Sequence, residues 1–216
     1  MPSYTYNINT DFNSLNVDIS QLQKEISDIV EVSYINKTGD DIIIFFEEEL
    51  SVPNKTSVDS AVSSYTYIEY VDTSSVVLCD TKPIGTNGGT LTENIWQVRD
   101  INTIIPTPVR WATLSKNQFT LDEGTYNIIC EAPSYKVGVH NIRLYNVTDS
   151  ISVDTGASEY SNDTSNSKIS TYVTIDSTTI YQIEHYCSKT RDVVGCGVAS
   201  GINEEKYCCV SINKIL

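Results

Sequence analysis

The sequence predicts a mainly β protein that ends in an antiparallel jelly-roll sandwich, and three observations carry that prediction. Runs of alternating apolar and polar residues fill the stretch 96–216, as expected where successive side chains of a strand point to opposite faces. Turn-forming residues interrupt these runs at roughly the 8–12 residue spacing of sandwiches and barrels. High Ser, Thr, Asn and Tyr with only 19% charged residues is the composition of an exposed β-protein.

Residues 1–30 form a first segment. Phe12, Leu15, Ile19, Leu22, Ile26 and Ile29 are spaced 3, 4, 3, 4, 3, the a/d pattern of a coiled coil. Fewer than three heptads are marginal alone. Two readings are therefore open: an amphipathic helix packed on its own domain, or a short oligomerising bundle stabilised by the domains C-terminal to it. Residues 31–80 form a second segment. Val32–Ile35 and Ile42–Phe46 read as strands joined by the turn Asn36–Asp40, and Ser57–Tyr70 as a short helix, which makes a β-β-α module. Residues 81–95, with Pro83, Gly85, Asn87, Gly88 and Gly89, read as a Gly-rich linker.

The head domain, 96–216, comes last. Phe119–Leu121 and Tyr126–Cys130 flank the turn Asp122-Glu123-Gly124. A run from Val139 to Tyr145 ends at the turn formers Asn146–Ser150. Thr171–Ile175 and Ile180–Ile183 flank Asp176–Thr179, which reads as the clearest hairpin of the chain. Tyr207–Ile215 supplies a last strand.

With 14 Lys+Arg against 28 Asp+Glu, the formal charge of −14 repels phosphate backbones, so nucleic acid is not an expected partner. The start MPSYTYNINTDF has neither the basic nor the apolar stretch of a signal peptide, and no segment has the ~18 apolar residues needed to span a bilayer. A chain made in a cytosol is expected to keep its six cysteines as reduced, mostly buried thiols.

No catalytic, cofactor-binding or metal site is assigned. His185-Tyr186-Cys187 puts His and Cys on one strand face, with Cys196 beyond, but there is no CxxC pair. Hydrogen-bonded histidines beside buried thiols explain His140, His185, Cys187, Cys196, Cys208 and Cys209 better than zinc does. The acidic pairs Asp40-Asp41 and Glu204-Glu205, and Glu47–Glu49, are adjacent in sequence, so in a strand neighbours face opposite ways and serve as solvated surface. Gly85–Gly89 lacks the Lys and helix of a phosphate cradle. Binding is expected on loops instead. The polar segments 159–168 and 188–197 offer Tyr160, Asn162, Asp163, Lys189 and Arg191 as candidate receptor residues, while Tyr135 and Arg143 are candidates for an interface between copies.

The strings NQFTLDEGTYNIICEAPSYKVGVHNIRLYNVTD at 117–149, GASEYS at 156–161, YQIEHYCS at 181–188 and GVAS at 197–200 resemble the C-terminal domains of viral fibre and tail-associated proteins, with WQVRDINTI at 96–104 as lead-in strand. Those domains are similar in architecture to the trimeric jelly rolls of the complement-component and tumour-necrosis-factor superfamily. The resemblance implies a homotrimeric virion component, made in the host cytoplasm: a capsid fibre, spike or tail-tip protein. Its partners would be itself, other virion proteins and a host-surface glycan or protein, with no membrane insertion. It departs from the pattern in having no collagen-like stalk, and in Cys208-Cys209 in the last strand. A non-viral jelly-roll ligand-binding module and a tail-associated carbohydrate-active enzyme are the alternatives.

Overall fold

Two units organise the chain, Met1–Glu69 and Tyr70–Leu216, and the computed structural model describes residues 1–71 and 73–215 of them. Asp72 and Leu216 lie outside the described residues.

The first unit runs β1 (Ser3–Asn7), α1 (Ile8–Asp11), α2 (Ile19–Ser27), β2 (Tyr34–Thr38), β3 (Asp41–Phe45) and α3 (Val52–Ser64). Its sheet has the order β1-β3-β2, antiparallel throughout. The β2–β3 hairpin and the helix after it form the expected β-β-α arrangement, and β1 adds a third strand from within the segment expected to be helical. The helix α3 begins at Val52 rather than Ser57. Ser51 caps it by accepting from the Asn54 amide at 3.4 Å, with a proline in the first turn.

The coiled-coil reading needs correction. Only Ile19–Ser27 is helical within the 12–29 seam, and Asp18 caps it by accepting from the Gln21 amide at 3.0 Å. Phe12 and Leu15 precede the helix, with Leu15 74% exposed. Leu22 and Ile26 are fully buried in the unit's own core with Ile42, Ile44, Phe46, Val58 and Val62. Ile19 packs at the edge of that core, while Ile29 beyond the helix is exposed. A 3/4 spacing marks any helix with one apolar stripe, and here the stripe packs on the unit's own sheet.

The second unit is a jelly roll. Its strands are β4 (Ser75–Lys82), β5 (Gln97–Val98), β6 (Thr103–Ile105), β7 (Ala112–Ser115), β8 (Gln118–Leu121), β9 (Gly124–Tyr135), β10 (Gly138–Asn146), β11 (Ile151–Thr155), β12 (Glu159–Ser161), β13 (Thr164–Ile175), β14 (Thr179–Cys187) and β15 (Glu205–Lys214). A seven-stranded sheet has the order β11-β10-β14-β8-β7, with β12 on β10 and β5 on β14; a five-stranded sheet has the order β13-β9-β15-β4-β6. The chain crosses between sheets at β4–β5, β5–β6, β6–β7, β8–β9, β9–β10, β12–β13, β13–β14 and β14–β15, which is the Greek-key traffic of a jelly roll. Inward residues of both sheets, among them Leu78, Phe119, Tyr126, Ile128, Ile142, Leu144, Ile183 and Val210, form one core.

The hairpin expected at 171–183 turns out to be a corner, and the turn at 122–124 is another. β13 pairs with β9, whereas β14 pairs with β10 and β8, so Asp176–Thr178 carries the chain from one sheet to the other. Asp122–Glu123 does the same between β8 and β9. Alternation and turn residues report that two strands are joined, not that they pair.

The segment 81–95 is likewise not a linker. Leu91 is fully buried, and backbone bonds run from Gly88 to Gly197, Gly89 to Val193 and Leu91 to Arg191. The head therefore begins near residue 70, not 96. Gly88 serves close approach here, while Gly85 and Gly89 take positive φ. A Cβ on Gly88 would lie 2.7 Å from the carbonyl carbon and oxygen of Cys196. Gly88→Ala is accordingly expected to destabilise the head by about 2–3 kcal/mol, read as a lower urea midpoint; an unchanged midpoint would mean the segment is loosely held.

Candidate functional site

The loops that sequence reasoning selected meet at one end of the sandwich. The β9–β10 corner holds them together: the Lys136 amide donates to the Asp163 carbonyl and to Ser161 Oγ, both at 3.0 Å, and the Val137 carbonyl accepts from the Lys189 amide at 3.0 Å. Gly138, at φ +72°, allows this, because a Cβ there would strike Ser188 Oγ. Lys136 and Arg191 both stand over the Tyr135 ring, at 4.8 and 5.7 Å from its centroid. Asn162, Asp163, Lys189 and Arg191 are exposed there, and Tyr160 is exposed on the short strand β12. All five candidate receptor residues thus lie on or beside one loop cluster. It also concentrates Lys136, Lys189 and Arg191 in an otherwise acidic chain.

A polar chain is buried beneath this end. Arg99, only 1% exposed, donates at 3.1 Å to the carbonyls of Pro133 and Cys196 and contacts His185 Nδ1 at 3.1 Å. His185 Nε2 meets His140 Nδ1 at 2.9 Å, and His140 Nε2 meets Ser165 Oγ at 2.7 Å. A guanidinium can only donate, so His185 Nδ1 must accept, its Nε2–H donates to His140 Nδ1, and His140 Nε2–H donates to Ser165. One arginine therefore sets both tautomers. The chain ties β10 and β14 of one sheet to β13 and the Pro133 carbonyl of β9 in the other. Burial first, then the Arg99 charge, lowers both histidines, His140 to about 4 and His185 well below its ordinary value. Asp80, buried beside Lys82 at 3.1 Å and under the influence of Arg99, is raised by its burial.

The outer face of the five-stranded sheet is a third feature. In register across it lie Ser170, Ile129, Ser211, Val77 and Ile105. Ile105, Ile129 and Val77 are 59%, 45% and 42% exposed, and Tyr172 in the adjacent row is 69% exposed. Lys168 and Glu131 pair with each other at 3.1 Å in the next row. Neither interface candidate lies on this face. Arg143 is on the seven-stranded sheet, paired with Glu184 at 2.6 Å and stacked on Trp96 and Tyr145, and Tyr135 belongs to the loop end.

The acidic pair Glu204-Glu205 is divided between solvent and a buried backbone contact. Glu205 accepts from the amides of Gly85, Ser200 and Gly201, which hold it at about 2. Glu204 is exposed, so the adjacent pair does not converge on one site. Among the described residues no group of three or more His, Cys, Asp or Glu is arranged to hold a metal ion, and no helix is long and apolar enough to cross a membrane.

No family model and no curated protein matches the chain. Solved structures are similar to it. The globular domain of zebrafish complement 1qA protein has 13% identity over 66% of this chain and 97% of its own, with a TM-score of 0.38. Eiger TNF from S. frugiperda has 9% identity over 66% and 92%, TM-score 0.46, and murine APRIL 8% over 65% and 98%, TM-score 0.41. The likeness is one of fold.

Proposed function

We propose that the second unit is the head of a homotrimeric structural component of a virus particle, a fibre, spike or tail-tip protein, that contacts a host surface through its loop end and carries out no catalysis. The observation that carries self-association is the outer face of the five-stranded sheet. Ile105, Val77, Ile129 and Tyr172 stand exposed on it although the inner face of the same strands already fills the core. Its central rows carry one internally paired Lys168–Glu131 couple in a chain of net charge −14. Two copies can meet there with the least mutual repulsion. The viral and attachment parts rest on the resemblance of the head strings to fibre and tail-associated domains, and on the exposed Tyr160, Lys189 and Arg191 at the loop end.

Light scattering on the purified chain is expected to give three times the 24.0 kDa protomer mass. Ile129→Glu places a charge in the middle of the face and is expected to reduce the particle to a folded monomer, with the far-ultraviolet spectrum retained. A wild-type monomer at micromolar concentration would count against self-association. Mass spectrometry of purified particles tests the viral assignment: the chain should be present in stoichiometric multiples of three, and its absence would favour a non-viral ligand-binding module.

A further inference from the structure

The outer face also carries two cysteines that neither the core nor the proposed contact with a host requires. Cys79 on β4 and Cys209 on β15 are directly opposite in the antiparallel register, with Sγ atoms 2.6 Å apart. Directly opposed residues of an antiparallel pair have Cα atoms about 4.5–5.5 Å apart, within the range a disulfide spans. The register places both sulfurs on one face beside the irregularity between Lys206 and Cys209, already in contact with each other.

We propose that Cys79 and Cys209 form a redox-active dithiol, a modification site on the sheet face that a small-molecule disulfide converts to a cross-strand Cys79–Cys209 bond. In a single copy the pair is reached from the sheet face, Cys209 half-buried and Cys79 only 7% exposed, whereas the self-association proposed above would cover Val77 and Ile105 beside it. Cys79 borders a cavity of about 360 Å³ with Val77, Ile105, Glu204 and Lys206, and Cys209 borders a second of about 450 Å³. The other thiols differ. Cys130 and Cys208, 4.0 Å apart, are sealed in the core, and Cys187 and Cys196 are buried with Leu91 and Val137.

The local electrostatics suit the chemistry. The two thiols share one hydrogen bond in which either sulfur can donate; that contact first, helped by the Lys206 ammonium, draws the Cys79 thiol down to about 7 against its own burial and the charges of Asp80 and Glu204. The second thiol, Cys209, is raised by the same contact. A thiolate is the attacking species in disulfide exchange, and one with a pKa near ambient pH attacks best.

The Cys79 thiolate attacks one sulfur of glutathione disulfide, forming a mixed disulfide and releasing one glutathione thiolate. Cys209 then loses its proton to the medium and attacks the Cys79 sulfur. The Cys79–Cys209 bond forms, the mixed disulfide breaks and a second glutathione leaves. Two electrons pass from the protein to the reagent.

The test is to equilibrate the purified full chain with graded mixtures of glutathione disulfide and glutathione, quench with iodoacetamide and map the peptides by mass spectrometry. The expected product is a protomer lighter by two hydrogens with a single link, Cys79 to Cys209. Cys209→Ser should retain one glutathione on Cys79, and Cys79→Ser should abolish the link. A link between Cys130 and Cys208, or a bond between chains on a non-reducing gel, would overturn the proposal. Because Val77 and Ile105 beside Cys79 belong to the proposed contact face, the same titration is run on Ile129→Glu with light scattering alongside. A link in the wild type or only in the dissociated variant supports the dithiol, and a link in neither at any mixing ratio overturns it whatever the oligomeric state. These two maps decide alone if either cysteine variant fails to fold.

Discussion

Arg99→Ala is expected to lower the stability of the head by about 3–5 kcal/mol. The change leaves the Pro133 and Cys196 carbonyls and His185 Nδ1 without the donor that each uses, and an unmade buried hydrogen bond costs about 1–3 kcal/mol. It also opens a cavity where a fully buried long side chain stood. A discount applies, because burying a cation is itself unfavourable and its removal returns part of the loss. Asp80 works against that discount: it is buried near enough for the Arg99 charge to favour its ionised form. Arg99→Met, which fills the space but donates nothing, is expected to lose about half as much. Arg99→Lys is expected to rescue little, since one ammonium does not reproduce the fork that reaches two carbonyls. Both tryptophans, Trp96 and Trp111, lie in the second unit, so their fluorescence during urea unfolding reports the head alone. A loss below about 1 kcal/mol for Arg99→Met would show that packing, not donation, holds this end together.

The parts of the fold legible in the sequence were those with local causes. Alternation in Tyr126–Cys130, Val139–Tyr145 and Tyr207–Ile215 marked real strands, and the sandwich follows from their number and spacing. Pairing is not local. The 171–183 stretch has a good turn between good strands, yet β13 and β14 belong to different sheets because each finds its partners far along the chain. The seam at 12–29 failed for a related reason: spacing alone does not say whether Leu22 and Ile26 face a partner chain or their own sheet. Glycines at 85–89 suggested a linker, where Gly88 instead admits the Cys196 backbone. Of the candidate site, the polar loops were readable from composition, and the structure adds that the 137, 163 and 189 backbones bring them together. Arg99 gave no signal in WQVRDINTI, since a buried arginine and an exposed one look alike without knowledge of what surrounds them. Cys79 and Cys209 are 130 residues apart and meet only through the β4–β15 register.

Acid is expected to destabilise the head between about pH 6.5 and 4, through His140 and His185 acting together. In the unfolded chain each imidazole takes up a proton near pH 6.5. In the folded head His140 does so only at about 4 and His185 well below its ordinary value, because burial and the Arg99 guanidinium oppose a second cation. The hydrogen-bond order gives the same sign: both acceptor nitrogens already face an N–H, so an added proton would set donor against donor. The folded-state pKa values are depressed, so above pH 6.5 both states are neutral and stability is flat. Below it the unfolded chain binds more protons and stability falls with decreasing pH, by about 1.4 kcal/mol per pH unit for each histidine that is fully protonated only when unfolded. Glu205, held at about 2 by three amides, adds a loss in the same direction, but only below its ordinary range near 4.5. Asp80 opposes both, since its raised value means that protonation relieves a buried charge. Urea midpoints measured from pH 7.5 to 4 should therefore stay level and then drop. His140→Gln, whose amide can still accept from His185 and donate to Ser165, is expected to flatten the drop by about half while costing little at pH 7.5. Arg99→Met should flatten it too, because the charge that opposes protonation is gone. A wild-type midpoint that holds steady to pH 4.5 would mean that the two histidines are charged in the folded head, and that the donor order set by Arg99 is wrong.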